Sequence, residues 1–189
     1  VTCAFTHVDA AQSRVYQAGN RTFLEVVRFD RHGAHGRSPI CSWAAINGGL
    51  FGLAGCNLME GAGALEKADL LSWEDVASIE KIWHFGRLIA NTDMRDGNLS
   101  FRPGLILAPI YDMLPMGYAP ERGVELRDRQ YAPQLPLPPE QSAWGLAARA
   151  AGAFWHQASN DDRISSKFRA ICRDNAVAIG KLRAKAGVS

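Results

Sequence analysis

The sequence predicts a mainly α-helical fold with only short β-hairpins. The first sign is a run of apolar residues at helical period, Val76, Ile79, Trp83, Gly86 and Leu88-Ile89. Two more helical patterns follow Pro138-Pro139. The β-branched and aromatic runs, by contrast, are short and confined to residues 15–29 and 99–107.

Taken in order, Val15 and Tyr16 precede a Gly19-Asn20 turn signal, and Thr22 to Phe29 alternates β-branched, aromatic and polar residues, as strands prefer. Residues 30–39 hold Asp30, His32, Gly33, His35, Gly36 and Pro39, which reads as a polar loop. Residues 40–65 are apolar and glycine-rich. Gly49, Gly52 and Gly55 recur at three-residue spacing, but no Lys-Ser or Lys-Thr follows, so a phosphate-cradling P-loop lacks its mechanism there. Small residues at close helix contacts or in loops are the simpler reading.

Ser72 caps the next helix, with Glu74 and Asp75 in its first turn to favour the helix dipole. It is expected over 73–90, buried along one stripe. A polar loop, 91–98, follows. Leu99-Ser100-Phe101 and Leu105-Ile106-Leu107 flank Arg102-Pro103-Gly104 and predict a hairpin. Residues 118–139, rich in proline, arginine and acids, predict an irregular excursion. A helix over 140–157 then presents Trp144, Ala148, Ala151 and Trp155 on one face, and a last helix from Ser165 turns Phe168, Ile171, Cys172, Ile179 and Leu182 inward.

Hydrophobic residues at 47% and charged residues at 21% are the balance of a globular protein with a real core. A net charge of +2 and a pI near 8.4 give no concentrated basic surface for nucleic acid or membrane. No apolar run is long enough to span a bilayer and no signal peptide opens the chain. Cys3, Cys41, Cys56 and Cys172 form no C-x-x-C pair, so we expect reduced thiols in a cytoplasmic protein. The chain opens Val1-Thr2-Cys3 rather than with Met, which we read as a processed chain or a piece of a longer one.

The chemistry concentrates in residues 91–112. Phosphoryl transfer needs a carboxylate beside the attacking hydroxyl and hard oxygen ligands for the metal ions that bridge the phosphates. Protein kinases meet that need with Asp, then Asn five positions on, then a short hairpin delivering a second Asp. Asn98 stands five positions after Asp93, and Asp112 fourteen after Asn98, with the predicted hairpin between. Spacing alone leaves a second reading open: Asp, Gly and Asn also make solvated turns.

The wording of these segments narrows the choice. Ile89-Ala90-Asn91-Thr92-Asp93 through Asn98-Leu99-Ser100-Phe101 resembles the catalytic loop of HipA-family serine/threonine kinase toxins. Leu107-Ala108-Pro109-Ile110-Tyr111-Asp112-Met113-Leu114 resembles that family's metal-binding segment, and Val27-Arg28-Phe29-Asp30-Arg31 its hinge between lobes. The likeness covers about residues 20–180 and is closest to the YjjJ-type branch, through Asn-Thr-Asp-Met and Asp-Met-Leu-Pro-Met.

The resemblance implies a protein-kinase-like C-lobe. Residues 1–30 would be the end of an N-terminal lobe and its hinge, and 31–189 the helical lobe, with the rest of the N-terminal lobe missing from this chain. It implies ATP and Mg2+ as cofactors. Asp93 would be the catalytic carboxylate, and Asn98 and Asp112 the metal ligands. Val27 and Phe29 would meet the adenine through their backbone, Asp30 would lie near the ribose and Tyr111 beside the nucleotide. The implied partners are a protein substrate, with aminoacyl-tRNA synthetases the known class, and a helix-turn-helix antitoxin. The family carries His two positions after the catalytic Asp, where this chain has Arg95.

The alternative is a non-catalytic interaction module or pseudokinase that binds such an antitoxin. Among the remaining residues, His32 and His35 lack a third metal ligand, and His84 is expected to be a satisfied structural residue. Arg122, Arg127 and Arg129, beside acids, read as a solvated loop or a protein-binding surface. Because the upstream lobe would cover them, the N-terminal strands are expected to expose apolar side chains.

Overall fold

The computed structural model describes residues 8–120 and 130–188. Cys3, His7, Arg122, Arg127 and Arg129 lie outside them. The chain is mainly helical with short antiparallel strand pairs, and it divides into two compact units. The first runs to Val76 and includes Arg95–Asp112; the second comprises Ala77–Met94 and the residues from Met113 onward. Among the described residues no helix is long and apolar enough to cross a membrane.

In the first unit, β1 (Ser13–Ala18) pairs antiparallel with β2 (Arg21–Val26) in the register Ala18↔Arg21. Gly19, at the first central position of the two-residue loop, has φ 57°, which a side chain would resist and which a type II′ turn requires. Every residue of both strands is exposed, and Val15, Tyr16, Phe23, Leu24 and Val26 place apolar surface in water. The sequence led us to expect that exposure. The predicted polar loop holds a small hairpin of its own, β3 (Arg31–His32) with β4 (Gly36–Arg37).

A three-stranded sheet forms the centre of this unit: β5 (Cys41–Ser42), β6 (Ser100–Arg102) and β7 (Ile106–Leu107), with Phe101 fully buried on the middle strand. The predicted hairpin at 99–107 is β6–β7. Its turn places both Gly104 and Leu105 at positive φ. Ser42 caps α1 (Trp43–Ile46), and one π-helical turn, Asn47–Phe51, follows. Buried Asn47 fixes that turn, exchanging two 2.9 Å hydrogen bonds with the backbone of Leu53. Of the spaced glycines, Gly52 and Gly55 occupy left-handed turns, as the loop reading expects. The close helix contact belongs instead to Gly61, in α2 (Leu58–Lys67): a Cβ there would meet the indole of buried Trp43 at 2.6 Å.

In the second unit, α3 (Trp73–Leu88), whose first turn belongs to the first unit, presents Ile79, Ile82, Phe85 and Leu88 to the core. It stops two residues short of the predicted end. The Asn91 N–H donates to Gly86 O (2.8 Å) and the Ala90 N–H to Arg87 O (3.2 Å), with Ala90 at φ 59°. That is a Schellman stop, with alanine where glycine is preferred. Two helices complete the unit. α4 (Gln141–Ser159) buries Trp144, Ala147, Ala148, Ala151 and Trp155, and packs on α5 (Ser166–Lys185) through Cys172 and Ile179. Alanines along α4 let the two helices approach closely. Buried Asn175 and Tyr118 exchange hydrogen bonds beneath them.

His84, on α3, is 2% exposed. Among the described residues its Nε2 has no hydrogen-bond partner; it lies 3.8 Å from Glu80 Oε1, so within them it is buried but not satisfied. Burial holds its pKa below 6.5, against the pull of Glu140 and with the help of Arg87. The folded state therefore binds a proton less readily than the unfolded chain, and stability falls as pH drops below about 6.5. Glu80, raised by its own burial, contributes with the opposite sign at lower pH. We expect His84→Leu to flatten the fall in denaturation midpoint between about pH 7 and 5.5. An unchanged slope would refute this assignment.

Candidate active site

Four residues singled out from sequence, Val27, Phe29, Asp30 and Tyr111, line one cavity of about 340 Å3 in the first unit. β2 ends at one wall of it. The Val27 N–H donates to Gln12 O (2.8 Å), which holds the strand's exit against the preceding segment. The rings of Phe29 and Tyr111 sit 6.0 Å apart. Tyr111 is fixed at its far end, where its hydroxyl donates to Gly97 O (2.7 Å) and lies 2.9 Å from Ser100 Oγ. Ala11, Val26, Ile40 and Ser100 also line the space. Sequence reasoning did not assign these to the site: Ala11 and Ile40 carry no motif, Val26 directly precedes the hinge segment, and Ser100, although within the loop segment, was given no role.

Asp30 does not stand alone. Arg28 grips it through both oxygens, at 2.9 and 2.6 Å, and Arg31 lies 3.6 Å away. The Arg28 guanidinium holds the Asp30 carboxyl below the usual carboxylate range. The Asp30 charge is therefore more than matched by the two arginines, and Asp30 presents only its remaining lone pairs to a ligand.

Asn98 and Asp112 also belong to the first unit. Asn98 closes a single 3-10 turn, Asp96–Asn98, whose Gly97 carbonyl is the one Tyr111 holds. Arg95 caps that turn through its backbone, its carbonyl accepting the Asn98 N–H at 2.9 Å. Asp112 follows directly on Tyr111 and has φ 58°, a backbone state that costs a non-glycine residue about 1–2 kcal/mol and is often found at functional positions. Among the described residues, no three His, Cys, Asp or Glu side chains gather as a metal cluster. An amide and a carboxylate oxygen are hard donors of the kind magnesium takes, since it keeps most of its waters and needs only one or two protein groups.

Asp93 belongs to the second unit. Its N–H donates to Asn91 Oδ1 at 2.9 Å, an Asx turn that sets the loop's direction. Asn91 itself is 6% exposed, with its Nδ2 3.7 Å from Met113 Sδ, and the Gly117 N–H holds Ala90 O at 2.8 Å. Met94 lies over Gly86, where any Cβ would collide with its thioether. The half-buried Asp93 carboxylate therefore rises from a loop braced on both sides.

The chain matches no family model. It is 40% identical over 182 residues to Toxin YjjJ of Escherichia coli (strain K12), a match that covers 94% of this chain. The same match covers 41% of that protein, so this chain, less than half its length, is similar to a toxin of the YjjJ type.

Proposed function

We propose that the protein carrying this chain is an ATP-dependent serine/threonine kinase of the HipA type that acts as a toxin in the cytoplasm. The observation that carries this reading is the first unit's cavity, which gathers the four residues named from sequence as nucleotide contacts. Its volume falls within the usual range for small-molecule sites, about 300–1,000 Å3. Val27 and Phe29 offer an apolar face and backbone groups to the adenine, Asp30 an acceptor to a ribose hydroxyl, and Tyr111 an aromatic wall. Likeness to a protein named as a toxin supports the outcome. The remainder of the nucleotide site would lie in the larger part of such a protein.

Asn98 and Asp112 supply the oxygens for magnesium. Magnesium held there would supply positive charge to offset the charge that develops in the transition state. Asp93 orients the acceptor hydroxyl and takes its proton as the oxygen–phosphorus bond forms and ADP leaves. The Asx turn from Asn91 keeps that carboxylate from swinging away. This mechanism requires Asp93, Asn98 and Asp112 to face one cleft. The acceptor would be a Ser or Thr of a protein, in the class of aminoacyl-tRNA synthetases, and a helix-turn-helix antitoxin would restrain the kinase.

The test is phosphate transfer by the full-length protein from γ-labelled ATP to Ser or Thr of cellular proteins, abolished by EDTA. Mg-ATP binding without transfer would mean a pseudokinase. Failure to bind Mg-ATP would overturn the reading altogether.

A further inference from the structure

The second unit holds a cavity of its own, about 250 Å3, where α3 ends. Arg87, Thr92, Gln134, Glu140 and buried His84 are on its walls. At about 30 Å3 per water it has room for roughly eight waters. It is smaller than the usual drug-sized pocket, so its scale is that of one side chain rather than a nucleotide.

Its chemistry is specific. Arg87 is set in place from two sides, donating to Gln134 Oε1 at 2.6 Å and lying 5.9 Å from the Trp83 ring centroid. The Trp144 indole N–H secures the backbone of Gln134 in turn (3.2 Å). Yet among the described residues no carboxylate pairs with Arg87. A guanidinium fork held in position, with no carboxylate on it among the described residues, suits a carboxylate. Glu140, also on the wall, accepts the Leu137 N–H through Oε2 (2.8 Å), and a carboxylate has further lone pairs to offer. Burial lowers the pKa of His84 on the same wall. The walls therefore suit a carboxylate with an N–H donor a short way from it, which an acidic residue within a peptide provides. Thr92, on the wall, immediately precedes Asp93.

We propose that this cavity is a subsite for an Asp or Glu of the acceptor protein next to the phosphorylated hydroxyl, its carboxylate on Arg87 and its main-chain N–H on Glu140. The assignment to an acceptor rests on the kinase reading; the carboxylate site does not. Both are tested on the full-length protein with capped hexapeptides carrying one Ser, with Glu, Gln or Lys scanned over the two positions on either side. Binding is measured by calorimetry without ATP, and transfer separately with Mg-ATP. At one position Glu should bind at least tenfold more tightly than Gln. Arg87→Ala and Arg87→Lys should erase that preference while leaving ATP binding unchanged. Equal binding of Glu and Gln peptides, or a preference that survives in Arg87→Ala, overturns the subsite. Acidic preference in binding with no transfer to any peptide would uphold the subsite and sink the kinase reading. Transfer without acidic preference would do the reverse.

Discussion

In the full-length protein, Asp112→Ala is expected to lose magnesium-dependent ATP binding and turnover together. Asp93→Ala should keep ATP binding nearly intact while transfer collapses. The difference follows from what each carboxylate would touch. Asp112, at the end of the Tyr111 segment, would hold the metal that ATP binding depends on, so its loss is felt in the ground state. Asp93 would meet only the acceptor hydroxyl, so its loss is felt in the transition state and appears in kcat. A positioning base of this kind is worth roughly 100- to 10,000-fold. Calorimetry with Mg-ATP separates the two variants even though both are silent in a transfer assay. Should Asp93→Ala lose binding and Asp112→Ala retain it, the assigned roles are wrong.

The second large effect is expected in the core of the second unit. Trp155 is fully buried on α4, with Tyr118, Tyr131 and Phe154 packed against its edges and faces at 5.0–6.0 Å. Its indole N–H donates to Leu88 O at 3.1 Å, and the Tyr131 hydroxyl donates to the same carbonyl. Trp155→Ala should therefore cost about 3–5 kcal/mol, a large share of the roughly 5–15 kcal/mol that holds a typical domain folded. Trp155→Phe, which keeps a ring but not the donor, should cost less. Because Leu88 lies five residues before Asp93, the Phe variant should also lower kcat more than it weakens ATP binding. A shift below about 1 kcal/mol in the alanine variant, read from denaturant unfolding, would contradict this account.

The helices were the most legible part of the chain. α3, α4 and α5 each carry a clear apolar stripe, and Ser72 caps α3 as the sequence suggested, its Oγ accepting the Asp75 N–H; Ser165, read only as the start of α5, caps that helix through the Phe168 N–H. What escaped was short or non-local. α2 is glycine- and alanine-rich, so its period is faint, and its capping box from Asn57 to Glu60 was the signal overlooked. The π-helical turn depends on one buried asparagine reaching Leu53. The end of α3 moved because Ala90 takes a left-handed state that its residue type does not advertise. At the site, Val27, Phe29, Asp30 and Tyr111 came from motif wording, and the structure gathers them at one cavity. The Arg28 grip on Asp30 was readable two positions away. The Arg87 cavity was not readable, since it joins a helix end to residues more than forty positions later.

The β1–β2 hairpin has a dynamic consequence. A two-stranded ribbon with all its side chains in water has little beyond its ladder to hold it, so it belongs to the first segments to open. Its last rung, Val26, and the adjoining Val27 form part of the nucleotide-sized cavity. Opening the ribbon and dismantling that wall are one event. Amide protons from Ser13 to Val27 should exchange with solvent early and as a group, and anything that fills the cavity should slow them by the free energy of its own binding. The ribbon then reports occupancy as isotope exchange, residue by residue, with no chemistry required.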